Sequence, residues 1–122
     1  MQFKFWKTAG GKSPPLIYIT NIQIKNKNRK KDRDDCESQN EIISELEDVE
    51  KAGFSNSLKS RAFKPITKKG KEPLYQINKG RHRIVFVMRG QIGHICEAFL
   101  KKNDSEEQRR YISVYRRAKI IK

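Results

Sequence analysis

The sequence predicts an α+β domain, in which an antiparallel sheet of four or five strands carries two N-terminal helices and one C-terminal helix. Three observations predict this class. The 122 residues are enough for one hydrophobic core, so residues 1–122 are expected to form a single domain. Apolar residues recur at helical spacing between residues 42 and 49. In the second half of the chain, apolar residues alternate with polar ones along short runs, and turn sequences separate these runs.

The N-terminal segment predicts a strand followed by a helix. Aromatic and polar residues alternate over residues 3–6, which is typical of a short, half-buried strand. Ser13 and Pro14 then form a common helix start, with a capping side chain and a proline in the first turn. A first helix is therefore predicted over residues 16–22.

A charged insert separates this helix from the next. Residues 25–35 read KNKNRKKDRDD, with no apolar residue to hold them against a core. They predict a loop, a frayed helix end or a disordered insert, covering about 25–39 in all. Ile42, Leu46 and Val49 then recur at helical spacing, and Gly53 follows as a stop signal, which predicts a second helix over residues 41–52.

The second half of the chain predicts an antiparallel meander and a last helix. Residues 74–77, 82–88 and 91–100 form short apolar or alternating runs, and the sequences NKG and RG between them suit tight turns. Residues 58–66 predict a further strand. Asp104 or Ser105 can cap the last helix, whose acidic first turn and basic end match the helix dipole.

The charge balance predicts a polyanionic partner. Lys and Arg number 28 against 14 Asp and Glu, which gives a net charge of +14 and a pI near 10.0. Nucleic acid is favoured over an anionic membrane surface. No apolar run reaches the length of a membrane span and no signal pattern opens the chain, so a soluble cytoplasmic protein is expected. Cys36 and Cys96 form no metal-binding pair, and free thiols in a reducing compartment are expected.

Alternation assigns the faces of the strand over residues 82–88. Ile84 and Phe86 share one side, and Arg83 lies on the other. If the helices cover the side of Ile84 and Phe86, the opposite face presents Gln76, Asn78 and Arg83 as a cationic, hydrogen-bonding surface. Arg83 then either forms a buried ion pair or binds phosphate.

Two further polar residues, Glu97 and Lys102, carry candidate chemistry. Glu97 lies inside an apolar run, where it either pairs with a neighbouring arginine or acts as a general base. Lys102 ends the last strand, either as a solvated terminus or as a phosphate ligand. His82 and His94 lack the spacing of metal ligands or of a catalytic triad, so neither a metal nor a cofactor is expected.

Three stretches of the chain form an ordered set that spans nearly its whole length. They read FKFWKT with GKSP near the N-terminus, LYQI followed by RHRIVF in the centre, and EAFLKK at the end of the last strand. This set resembles the RelE/HigB-type toxins of type II toxin–antitoxin systems, particularly their phage-associated branch.

The resemblance implies a small microbial-RNase-like fold and an mRNA interferase activity. Members of this family cleave mRNA on the translating ribosome, and a cognate antitoxin, here expected to be a helix-turn-helix protein, masks the active site. The RNA 2′-hydroxyl attacks the adjacent phosphate, so the reaction needs no metal and the substrate must be RNA.

The resemblance also implies roles for individual residues. Arg83 and Lys102 match the residues that stabilise the phosphate. Glu97 ranks first as general base, with His82 and Lys64 as alternates. The RNA-binding residues implied by the same comparison are Arg81, Gln76, Asn78, Lys101, Arg89 and Tyr111.

Two departures from the family pattern keep other functions open. His82 stands where many members have tyrosine, and Glu97 stands where histidine is common. One alternative is a non-catalytic toxin of the same fold that binds a protein target such as DNA gyrase. Another is an inactive module that retains antitoxin or nucleic-acid binding.

Overall fold

A computed structural model describes residues 1–24 and 30–121, with side-chain surroundings for residues 1–21 and 40–121. It contains five strands and four helices in these parts of the chain. In chain order they are β1 (Gln2–Phe5), α1 (Pro14–Ile24), α2 (Lys30–Ala52), α3 (Phe54–Lys59), β2 (Lys64–Ile66), β3 (Leu74–Lys79), β4 (His82–Arg89), β5 (Ile92–Leu100) and α4 (Asp104–Ala118).

The five strands form one sheet in the order β1-β5-β4-β3-β2. The predicted antiparallel meander is confirmed for β2 to β5. The prediction of a wholly antiparallel sheet is wrong, because β1 pairs in parallel with β5 from Gln2–Ile92 to Phe5–Ile95. Alternation reveals which residues share a face, but it carries no information on strand direction.

The helices α1 and α2 cover the face of the sheet that carries Ile84 and Phe86. Both side chains are fully buried there. They pack against both helices in one cluster. The helix α1 supplies Ile19 to this cluster, and α2 supplies Ile42, Leu46 and Val49.

The last helix packs on the opposite face, and the prediction of an open polar surface there is wrong. Val85 and Val87 of β4 are fully buried on this face, so β4 is apolar on both sides. A strand of that kind needs a cover on each face. The buried residues of α4 provide it: Glu107, Tyr111, Val114 and Ala118 recur at helical spacing and, apart from Glu107, join the cluster formed by Val85 and Val87.

Two element boundaries also differ from the predictions, whereas the predicted end of the second helix at residue 52 is confirmed. Of the alternatives predicted for the insert, helical structure is found for residues 30–39, which belong to α2 and start the helix earlier than predicted, while residues 25–29 lie outside the described residues. The helix α2 ends at Ala52, where Gly53 adopts φ 86°. A short helix, α3, then takes the start of the predicted 58–66 strand and leaves only Lys64–Ile66 in the sheet.

A bulge in β5 decides where Glu97 points. Phe86 pairs with Ile95 but Val85 pairs with Glu97, so Cys96 is an extra residue in β5. Regular alternation would put Ile95 and Glu97 on the same face. The bulge instead leaves Ile95 in the α1/α2 core and turns Glu97 towards α4.

Candidate functional site

A cavity of about 340 Å³ lies along the edge of β5 beyond the end of β1. The pairing of β1 with β5 stops at Phe5 and Ile95, so no described strand covers the following residues of β5 on that edge. Helices α1 and α4 form the two walls. We call this cavity the β5-edge pocket; its lining residues are Pro14, Tyr18, Glu97, Ala98, Phe99, Leu100, Lys102, Glu106 and Arg110.

Glu97 supplies a buried carboxylate to the β5-edge pocket. The residue is 4% exposed, and its two oxygens lie 3.8 Å from Arg110 Nη1 and 3.4 Å from Arg117 Nη1. Burial raises the pKa of Glu97 above its ordinary value, and the charges of Arg117 and Arg110 oppose this rise. A carboxylate with a raised pKa can exchange a proton at a pH closer to neutral than an exposed one.

A tyrosine and a histidine meet at the α1 wall of this pocket. The Tyr18 hydroxyl and His82 Nδ1 form a hydrogen bond of 2.6 Å. Tyr18 lines the pocket, whereas His82 is 7% exposed and lies behind it on β4. The hydrogen bond gives the phenol a neighbour that can accept or return a proton.

Two cations border the same pocket. Lys102 is exposed and has no ion pair among the described residues. Arg110 is 41% exposed on its side chain, and its Nη2 lies 3.3 Å from Glu106 Oε1. Because both side chains lie at the surface beside the pocket, each can contact an anion bound in it.

Arg83 lies outside the β5-edge pocket. Its Nε is 3.5 Å from Glu107 Oε2, and its Nη1 donates hydrogen bonds to the carbonyls of Gly80 at 2.7 Å and His82 at 3.1 Å. The side chain is 14% exposed. Of the two interpretations from the sequence, the structure shows the ion pair.

Gln76, Asn78 and Tyr111 form a hydrogen-bonded chain beneath α4. The Tyr111 hydroxyl donates to Gln76 Oε1 at 2.7 Å, and Gln76 Nε2 donates to Asn78 Oδ1 at 2.7 Å. Gln76 is fully buried and Tyr111 is 2% exposed. Burial raises the pKa of Tyr111 to about 12, with the charge of Glu107 as the next cause. Of the three, only Asn78 reaches solvent, so this chain does not form the open binding surface that the sequence predicted.

Of the remaining predicted residues, Arg81 and Lys101 lie together near Arg83, because Lys101 and Arg83 both contact Glu107, whereas Arg89 and Lys64 lie elsewhere. Arg81 is exposed and donates to the Lys101 carbonyl at 3.0 Å, and Lys101 Nζ lies 3.1 Å from Asp104 Oδ1. Arg89 pairs with Glu72 at 2.9 Å, at the end of β4 opposite to Arg83. Lys64 is exposed on β2, opposite Gln76.

The structure thus brings together Glu97, Lys102 and, through Tyr18, His82. Sequence reasoning missed Tyr18 and Arg110. The contact of Tyr18 with His82 spans 64 residues, and no local pattern signals it. Arg110 could have been found from the sequence, because it follows Glu106 by four residues on a predicted helix and therefore lies on the same side of that helix as Glu106.

The structure defines the class of this chain as an α+β protein with a mixed five-stranded sheet, helices on both faces and a polar pocket at one strand edge. In the comparisons with known proteins, no family model, curated protein or solved structure matches it. Within the described ranges, no three His, Cys, Asp or Glu residues are grouped so that they could hold a metal ion. None of the helices described is long and apolar enough to cross a membrane.

Proposed function

We propose that this protein is a metal-independent endoribonuclease, the toxin of a RelE/HigB-like toxin–antitoxin pair, and that the β5-edge pocket is its active site. The observation that carries the proposal is the meeting of a buried carboxylate, a hydrogen-bonded Tyr–His pair and two accessible cations around one cavity. These are the groups that RNA transesterification needs: two proton-transfer groups and a cationic site for the phosphate.

The pocket suggests a role for each group. Glu97 takes the proton of the RNA 2′-hydroxyl as its oxygen bonds to phosphorus. The bond to the 5′-oxygen breaks, and Tyr18 donates the proton that this oxygen requires. His82, protonated, returns a proton to Tyr18 through their hydrogen bond. Lys102 and Arg110 stabilise the negative charge that develops on the phosphate, and the products are a 2′,3′-cyclic phosphate and a 5′-hydroxyl.

A second candidate is a nucleic-acid-binding module without catalysis. One observation favours it. Glu97, the predicted general base, and Arg83, a predicted phosphate ligand, are both held in ion pairs with side chains of α4. A protein that only binds RNA needs neither group to be free.

Mapping of cut sites distinguishes the two functions. Purified protein is added to an in vitro translation reaction, and mRNA 5′ ends are sequenced with and without the protein. The endoribonuclease produces new 5′-hydroxyl ends within translated mRNA. Translation arrest without new ends would favour the binding module, and induction of DNA damage in cells without RNA cleavage would favour a gyrase poison.

A further inference from the structure

The loop between β2 and β3 runs alongside α4. Lys68 Nζ lies 5.6 Å from the centre of the Tyr111 ring and donates a hydrogen bond to Gln108 Oε1. Lys71 Nζ lies 5.7 Å from the centre of the Tyr115 ring. Tyr111 and Tyr115 are about one helical turn apart, so Lys68 and Lys71 contact α4 at two positions about 6 Å apart along the helix axis.

The outward side of α4 adds a second row of cations beside this loop. Its residues are exposed and form no ion pair among the described residues. Glu72 is the nearest acid in the loop sequence, and Arg89 neutralises it at 2.9 Å. We call the combined surface the α4 basic face; it consists of Lys68, Lys69, Lys71, Arg109, Arg116 and Lys119.

Exposed acidic side chains lie on the opposite side of the sheet, alongside the exposed Lys51. The helix α2 covers the other face of the sheet, and Glu41, Glu47 and Asp48 are exposed on it. Charge that serves only solubility is usually interspersed between both signs. On the α4 basic face, six exposed cations lie together with no ion pair among the described residues, and this concentration of one sign favours a polyanion.

We propose that the α4 basic face binds the sugar–phosphate backbone of RNA. A lipid surface is a poorer fit, because α4 already buries its apolar stripe against the sheet and leaves only Ile112 exposed, at 57%, among the large apolar residues of the helix. Arg109 precedes Arg110, which lines the β5-edge pocket. Consecutive residues of a helix point about 100° apart, so this face and that pocket lie on adjoining sides of α4. Passage of one RNA strand from the face to the pocket rests on the proposed function.

The test measures binding of a 2′-O-methylated oligoribonucleotide, which cannot undergo the cleavage, as a function of salt concentration. The test variant is Lys69→Gln/Arg109→Gln/Arg116→Gln. The matched control is Lys12→Gln/Lys51→Gln/Lys59→Gln, three exposed cations outside the α4 basic face. Loss of three phosphate contacts is expected to reduce the slope of log K against log salt by about 2, whereas the control keeps the wild-type slope.

Two results would overturn this inference. One is an equal slope for the wild type, the test variant and the control. The other is binding of the wild type to phosphatidylserine vesicles, or to a poly-glutamate peptide, but not to the oligonucleotide. The probe cannot be cleaved, so this test is independent of enzyme activity. If the slopes are as expected but the protein cleaves no RNA, the α4 basic face is supported and only the proposed enzyme is contradicted. If the protein cleaves RNA but the three slopes are equal, the proposed enzyme is supported and the α4 basic face is contradicted.

Discussion

The Tyr18 hydroxyl and His82 Nδ1 lie 2.6 Å apart, and their hydrogen bond joins the first helix to the second-last strand of the sheet. It places a phenol in the β5-edge pocket with an imidazole behind it. Under the proposed function, this pair supplies a proton donor to the pocket that does not depend on Glu97.

Substitution of Tyr18 by phenylalanine tests that role. Tyr18→Phe removes the hydroxyl but keeps the ring, so RNA affinity is expected to persist while the cleavage rate falls about 100-fold or more. Single-turnover kinetics with a labelled RNA measure the two separately. Tyr115→Phe, in the contact with the β2–β3 loop, is the control. A Tyr18→Phe rate within about threefold of the wild type would exclude a proton-transfer role for this hydroxyl.

Two tyrosines of α4 are expected to differ in their contribution to stability. Tyr111→Phe leaves the fully buried Gln76 Oε1 without its donor, which is expected to lower the free energy of unfolding by about 1–3 kcal/mol. The buried Tyr115 hydroxyl has no hydrogen-bond partner among the described residues, so Tyr115→Phe is expected to cost little or to stabilise. Urea denaturation of the two variants measures the difference, and equal losses would contradict the hydrogen-bond assignment.

The ionisation of Glu97 is expected to make stability depend on pH. Burial raises its pKa above the ordinary value of 4.5, so the folded state binds the proton more tightly than the unfolded state. The free energy of unfolding therefore falls as pH rises from 4.5 through the folded-state pKa. Glu97→Gln removes this titration, while Glu47→Gln on the exposed side of α2 controls for the loss of a carboxylate.

Denaturation midpoints from pH 4 to pH 8 measure this effect. The stability of the wild type relative to Glu97→Gln is expected to decline across the window and then to level off. A difference that stays constant, or that grows with pH, would show that the arginines outweigh the burial of this carboxylate.

Cys96 is expected to be unreactive in the folded protein. It is fully buried, and burial raises the pKa of its thiol to about 12. In a Cys36→Ser background, iodoacetamide at pH 8 is expected to label the folded protein about a thousandfold more slowly than the urea-unfolded protein. Mass spectrometry measures the two rates, and comparable rates would contradict the packing of β5 against α4.

Much of the fold follows from local pattern. Alternation in β4 correctly places Ile84 and Phe86 on one common face, because the period of a strand fixes which side chains share a face. The apolar Val85 and Val87 on the other side were a signal that a second helix layer covers it. The parallel pairing of β1 with β5 had no such signal, since it joins residues that are about 90 positions apart in the sequence, as Gln2 and Ile92 are.

The candidate site was less accessible to prediction. Glu97 and Lys102 stand out in the sequence as polar residues inside and at the end of an apolar run. Their pocket exists because β1 is shorter than β5 and because α1 and α4 flank the uncovered edge. Both conditions arise from tertiary packing. The bulge that turns Glu97 towards α4 likewise leaves no mark in the alternation pattern.

The central claim is that RNA is cleaved in the β5-edge pocket, and Lys102 tests it most directly because its side chain is exposed and borders the pocket. The measurement compares RNA cleavage by the wild type, Lys102→Gln and the exposed control Lys59→Gln on translating ribosomes, with analysis of the product ends. We expect cyclic phosphate and 5′-hydroxyl ends from the wild type and the control, and a rate about 100–1,000-fold lower for Lys102→Gln. Full activity of Lys102→Gln, or no cleavage by the wild type, would contradict the claim.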